Sequence, residues 1–234
     1  MSNIKLSPRM QAIADMAEGK TACDIGCDHA LISIYLVKER NFDRVIAMDL
    51  RKGPLEIAKK NVSLYGVCDK IDIRLSDGFD GLMTKEAQTA IIAGMGGGLM
   101  VDILKRGKLH TDNKITLILQ PQSEPERIRR YLIDLKYVIT DETMVLDEGK
   151  YYVVIKALPG EDEPYSEEEL LYGRILIQKK DRLLKTFLDD KYKKNKKLIY
   201  DLNKSGTENA LKKAESLSKD ISYIKMALDK INKD

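Results

Sequence analysis

Tryptophan is absent from this chain of 234 residues, phenylalanine occurs three times, and aromatic residues make up only 6% of it. Few side chains are therefore suited to stacking on a flat ring, with Tyr35, Phe79 and Tyr131 as the candidates. Cysteine is equally scarce: Cys23, Cys27 and Cys68 are odd in number and none is joined to a histidine at a zinc-ligand spacing. They read as thiols in or near a core, and no metal is expected. Long apolar runs are missing too. None approaches the roughly 20 residues that span a bilayer, and the start, MSNIKLSPRM, lacks the apolar stretch of a secretory signal. A cytoplasmic protein without a membrane partner is the expectation. A net charge of +3, in a chain that is 33% charged, is too close to neutral to name a partner. What the chain does have is 43% hydrophobic residues, enough for a substantial core.

Those residues are arranged in an alternating pattern. Ser7 caps a short helix that has Pro8 at its first position. Strands are predicted at 21–25, 44–49, 71–75, 90–93 and 115–120, with helices at 31–38, 55–65 and 124–135. A final pair of strands, 137–146 and 151–157, is joined by DEGK, a hairpin turn. Such βαβα alternation ending in an antiparallel pair predicts a doubly wound, Rossmann-like α/β sheet, with ligands outside the carboxyl ends of its strands. At PGEDEPYSEEE the composition changes, and the expected domains are 1–160 and 165–234. Ser166 and Glu169 form a capping box that opens one long helix, and Thr207 caps a second after the break NKSGTEN. Ala214, Leu217, Ile221, Ile224, Leu228 and Ile231 repeat at heptad spacing, and Leu184, Leu188, Leu198 and Leu202 offer a matching stripe. An antiparallel helical hairpin closed within one chain is the simplest outcome, so a monomer is expected.

Glycine is short where a nucleotide-binding turn would most need it. A dinucleotide site asks for G-x-G-x-x-G after the first strand, and TACDIGCDHALIS supplies only Gly26. Asp24, Asp28 and His29 surround it instead. The second strand ends at Asp49, placed to take the two ribose hydroxyls of an adenosine. The third is followed by Ser76-Asp77-Gly78, where an acid can accept from an adenine amino group. After the fourth comes the run Gly94-Met95-Gly96-Gly97-Gly98, read as a flexible turn, and past the fifth lies Gln120-Pro121-Gln122. Carboxylates for ribose and adenine, without glycines for a pyrophosphate, describe a site for S-adenosylmethionine. Asp24 or Asp28 would hold its amine, and the nicotinamide reading lacks its second and third glycines. Each piece has a plain alternative: Asp49 as a helix cap, Ser76-Asp77-Gly78 as an ordinary turn, the glycine run as an empty loop. Their joint position at successive strand ends favours the ligand.

LSPRMQAIADM, DIGCDHALIS, GPLEIAKKN, LSDGFDGL, IIAGMGGGLM, LILQPQSEPERIRRYL and YYVVIKA follow one another over about residues 6–158. Together they resemble the bacterial tRNA (adenine-22-N1)-methyltransferases, class I S-adenosylmethionine enzymes with a C-terminal coiled-coil-like domain. One departure is Asp49, where such enzymes often carry Glu. The resemblance implies transfer of a methyl group to N1 of adenine 22 in tRNA. It assigns the cofactor to Asp24, Gly26, Asp28, Asp49, Ser76, Asp77, Gly78, Gly94, Met95 and Gly96. The Asn/Asp-Pro-Pro-aromatic tetrad common to enzymes that methylate exocyclic amines is missing, which agrees with a ring nitrogen as acceptor. Asp28 and His29 become the candidates for orienting the base, and Gln120 and Gln122 for contacting its edge.

Residues 174–204 contain eleven Lys or Arg against four Asp. With tRNA as partner, Lys191, Lys193, Lys194, Lys196 and Lys197 become candidate phosphate contacts; without one, they are a solvated face. Two other functions fit the same residues. One is a methyltransferase of this fold acting on a small molecule or protein, and the other an adenosine-binding scaffold whose helices dock a partner.

Overall fold

The strands of the first half are apolar on both sides, and that decides the sheet they make. In the computed structural model, which describes residues 4–111 and 114–233, β1 (Thr21–Ile25) and β2 (Arg44–Asp49) are buried along almost their whole length. Only strands covered on both faces read this way. Together with β3 (Ile71–Leu75), β4 (Thr89–Gly96), β5 (Thr116–Ser123), β6 (Tyr137–Asp147) and β7 (Lys150–Pro159) they form one seven-stranded sheet of order β3-β2-β1-β4-β5-β7-β6. The first five strands run parallel, and β7 pairs antiparallel with both β5 and β6. The chain builds outward from β1 to β3 and then returns to place β4 on the other side of β1. The crevice at such a reversal is where doubly wound sheets bind ligands.

The helices follow the pattern of buried residues. α1 (Pro8–Met16) starts where Ser7 accepts from the amide of Met10. It packs on α2 (Leu31–Glu39), which packs on α3 (Lys52–Leu64). Their apolar residues share a cluster with Ala22, Val45, Ala47, Ile91 and Ile118, alternate residues of the strands. α4 (Gly97–Arg106), a helix without a counterpart in the sequence reading, packs with α6 (Pro125–Asp134), and α5 (Lys108–Thr111) follows α4. The DEGK turn has Glu148 at φ 48° and Gly149 at φ 75°, the two left-handed residues of a type I′ hairpin.

Two expectations about this unit are corrected. The glycine run is not a flexible turn: Gly94 to Gly96 continue β4 through a register shift, and Gly97 opens α4. A Cβ on Gly97 would lie 2.6 Å from the carbonyl oxygen of Glu124, so glycine is what lets α4 start against the β5–α6 connection. Likewise Gln120-Pro121-Gln122 belongs to β5 and does not follow it.

The chain divides into two compact units, the second beginning at Glu163. In that second unit the single long helix expected from Ser166 is three: α7 (Glu167–Tyr172), α8 (Arg174–Gln178) and α9 (Arg182–Ser205). Gly173 (φ 92°) breaks the first junction; at the second, Lys180 (φ 53°) turns the chain and Asp181 caps α9. After Gly206 (φ 65°), Thr207 caps α10 (Glu208–Asn232) by accepting from the amide of Ala210. Lys185 reaches Asn232 while Asn195 reaches Asp220, so α9 and α10 run antiparallel. Leu184 and Leu188 are buried, but Leu198 is 43% exposed and Asn195 takes the buried place instead. A heptad from Leu188 lands on residue 195, so helix geometry selects the asparagine. Among the described residues no helix is long and apolar enough to cross a membrane.

Candidate functional site

The strand ends at the reversal of the sheet line a cavity of about 530 Å³, within the range of small-molecule sites. Asp24, Gly26, Asp28, His29, Asp49, Ser76, Asp77, Gly78, Gly94, Met95, Gln120 and Gln122 all border it. Gly96 does not; it caps α4 instead. The sheet therefore gathers nearly every candidate into one place, although they are spread over almost a hundred residues of sequence.

The turn after β1 is wound tightly. The amides of Gly26 and Cys27 both donate to the carbonyl of Met48, at 2.8 and 2.9 Å. Gly26, Asp28 and Ala30 all have positive φ, and for the two residues with a Cβ this backbone is strained. At Gly26 a Cβ would sit 2.2 Å from the terminal methyl of Met95, so the missing side chain is what lets the end of β4 close over the turn.

The two carboxylates at the floor are almost wholly buried. Asp24 accepts from the hydroxyl of Ser33 at 2.7 Å, and burial, aided by the nearby charge of Asp49, pushes its carboxyl up to about 6. Asp49 accepts from the amide of Asp28 at 3.3 Å through one oxygen and from that of Arg51 at 2.9 Å through the other. Each oxygen keeps acceptor capacity for a ligand hydroxyl. At the lip, the Asp28 and His29 side chains are 57% and 43% exposed, and His29 Nε2 stands 3.7 Å from the Asp28 carboxylate.

Other candidates are engaged with the protein itself. Gln120, fully buried, accepts from the amide of Gly94 at 3.2 Å and from Arg9 at 3.4 Å, while its amide donates to the carbonyl of Pro121. Its visible work is to fix the end of β4. Gln122 is exposed at the rim. Ser76 accepts from the amide of Gly81 and donates to the carbonyl of Gly78, closing its own turn. Asp77 takes both arms of Arg106, at 2.6 and 3.0 Å, and that guanidinium holds its carboxyl below the usual range. Phe79 is buried against His110, with ring centroids 5.2 Å apart, and is not presented for base stacking.

The cavity also has walls that the sequence did not reveal: Arg9 and Met10 of α1, Leu50 and Arg51 after β2, and Leu99 of α4. Leu50 and Leu99 are 64% and 52% exposed, an apolar rim for a flat ring. Nothing local marks Arg9, because its place depends on α1 packing against β5, β6 and β7. Among the described residues no cluster of three or more His, Cys, Asp or Glu could hold a metal. Cys23 and Cys27 are buried free thiols, and Cys68 is an exposed one.

In the helical unit, Lys193, Lys194, Lys196 and Lys197 are exposed along α9. Lys191 differs. Its ammonium lies 3.0 Å from Asp220 and 5.2 Å from the ring centroid of Tyr172.

Buried acids at the ends of β1 and β2, an apolar rim and a single-glycine turn suit a nucleoside carrying a cation. Over residues 22–226 the chain matches the sequence model of the tRNA (adenine(22)-N(1))-methyltransferases. The chain belongs to this family. A family member from Bacillus subtilis, the tRNA (adenine(22)-N(1))-methyltransferase, is 35% identical over 178 residues, covering 75% of each chain. The crystal structure of the B. subtilis m1A22 tRNA methyltransferase superposes with a TM-score of 0.84 at 29% identity, over 97% of this chain and all of that one. A Streptococcus pneumoniae protein solved in complex with S-adenosyl-L-methionine gives 0.83 at 29% identity, over 96% of this chain and all of that one. The family match crosses from the sheet unit into the helices, so both units are family features.

Proposed function

We propose that this protein transfers the methyl group of S-adenosylmethionine to N1 of adenine 22 in tRNA. Family membership over both units carries the reading, and the cavity supports it with groups of the right chemistry. Asp49 has acceptor capacity for two ribose hydroxyls, Asp24 a buried carboxylate for the amine, and Leu50 and Leu99 an apolar rim for the adenine. When bound, the cofactor supplies an electrophilic methyl on a cationic sulfur.

The chain's part is alignment and charge. N1 of adenine is unprotonated near neutral pH and has an in-plane lone pair, so no strong general base is required. The N1–CH3 bond forms as the S–CH3 bond breaks, and the positive charge passes from sulfur to the adenine ring. We assign Asp28 and His29 to the incoming base: they stand exposed at the lip, where the Asp28 carboxylate would stabilise the cationic ring as it develops. Gln122 at the rim is placed to meet the base edge, and Gln120 acts through Gly94 as a positioning residue. Adenine N1 lies on the pairing edge, so the base must leave its stack at a cost of a few kcal/mol. Phosphate contacts from Lys193, Lys194, Lys196 and Lys197 would offset that cost, with Lys191 committed to Asp220. We further infer a monomer, since the apolar seam of α9 closes on α10 of the same chain, and a cytoplasmic location with the tRNA pool.

Mass-spectrometric mapping of tRNA incubated with the protein and the cofactor tests the reading. A single new 1-methyladenosine at position 22 is expected. Transfer to a small acceptor and none to tRNA would replace it with a small-molecule methyltransferase.

A further inference from the structure

We propose that Asn61 of α3 is a positioning residue for methyl transfer: its side chain fixes the lip that carries Asp28 and His29, an inference that rests on assigning that lip to the incoming adenine. The segment GPLEIAKKN, which Asn61 closes, has no residue bordering the cavity. Its part in the protein must lie behind the wall. Asparagine is a weak helix former, because its amide competes for nearby backbone groups, yet Asn61 stands inside α3. Its side chain is engaged far away in sequence. The amide nitrogen donates to the carbonyl of His29 at 2.9 Å, across 32 residues of chain.

The lip needs such a hold. Asp28 at φ 49° and Ala30 at φ 58° put left-handed backbone on both sides of His29, a conformation that persists only where neighbours enforce it. The two side chains do not enforce it. They are 57% and 43% exposed, and 3.7 Å between His29 Nε2 and the Asp28 carboxylate is too long for a hydrogen bond. Their aim is therefore set by the backbone. The amides of Gly26 and Cys27 are tied to Met48, the amide of Asp28 to Asp49, and the amide of Ala30 to the carbonyl of Cys27 at 2.7 Å. At His29 itself the tie comes from Asn61. Without that donor the His29 peptide can turn and carry both side chains with it, while Gly26 and Asp49 keep their own bonds. The expected loss is in alignment and not in binding.

The test combines steady-state methylation of tRNA by the full chain with nuclear magnetic resonance of its two histidine rings, His29 and His110. His110, stacked on Phe79, serves as the internal reference. Asn61→Asp keeps the shape of the side chain and replaces its donor by an acceptor, and Asn61→Ala removes both. Each should lower kcat by at least about tenfold, with the Kd of S-adenosylmethionine by calorimetry and the KM for tRNA held within about twofold. The His29 ring signals should shift while those of His110 stay in place. Asn61→Gln, which keeps an amide donor on a longer arm, should recover part of the rate. Parallel losses in kcat, cofactor affinity and Tm would make Asn61 an ordinary structural residue and overturn the proposal, as would an unchanged kcat. The spectrum is read without tRNA, which separates two failures. Wild-type protein that leaves tRNA unmethylated would strike the assigned reaction, whereas His29 signals indifferent to both variants would strike the role of Asn61 alone.

Discussion

Asp24 and Asp49 in the sheet unit keep 3% and 4% of their surface, whereas Lys193, Lys194, Lys196 and Lys197 in the helical unit stand in water. The contrast is one of cost. An ionised carboxylate taken out of water is expensive unless something pairs with it, so a buried acid at a strand end is itself an argument for a ligand. An exposed lysine costs almost nothing, and its meaning comes from number, spacing and partner. The sheet unit therefore declares chemistry residue by residue, and the helical unit declares it only as a face.

The largest expected effect probes that cost directly. Asp24 has a folded-state pKa of about 6, above its unfolded value. The folded protein therefore holds this proton more tightly than the unfolded chain. The stabilisation is complete below the unfolded pKa and is lost as pH rises through about 6. Asp24→Asn should remove the burden and raise stability at pH 8 by roughly 3 kcal/mol in denaturant unfolding. Affinity for the cofactor amine should fall in the same variant, and in the wild type it should fall as pH drops below about 6. A variant that is no more stable, with unchanged binding, would mean that Asp24 is an ordinary core group.

Asp49→Ala comes next, with an expected loss of about a hundredfold in cofactor affinity from two missing hydroxyl contacts. Calorimetry showing an unchanged Kd would remove Asp49 from the ribose. On the helical side, replacing Lys193, Lys194, Lys196 and Lys197 together by Ala should weaken tRNA binding about tenfold at moderate salt. The slope of log K against log salt should fall by roughly 3. Lys191→Ala should instead lower stability, because Asp220 would lose a partner. A slope left intact by the quadruple variant would take the RNA off this face. Smallest of all, Leu198→Gln should change unfolding by less than about 0.5 kcal/mol, as expected of an exposed position. A large loss would restore Leu198 to the seam.

Much of the fold could be read in advance where a residue's local chemistry and its role coincide. Ser7, Pro8, Thr207 and the DEGK turn satisfied or redirected backbone groups within a few residues, and the structure uses each in that way. Asp24, Gly26 and Asp49 were legible for a related reason, since the end of a buried parallel strand leaves few places for an acid except toward a ligand. The glycine run misled because flexibility was inferred from composition, while Gly97 answers to a carbonyl of Glu124 that lies far along the chain. For Gln120, a candidate base contact, nothing in the sequence signalled that its side-chain oxygen accepts from both Gly94 and Arg9. Asn195 was passed over for Leu198 because apolar spacing alone cannot see that a polar side chain will find Asp220.

By itself, the sequence determined the alternation of strands and helices, the order in which acids reach the strand ends, and the Thr207 cap of the second hairpin helix. These are matters of periodicity and neighbours within a turn or two. The tertiary structure decided which of the acids are buried, which polar groups are already spent on the protein, and that Arg9 from the first helix faces the cavity. Burial and hydrogen-bond partnership depend on elements packed together from distant parts of the chain, and no local pattern records them.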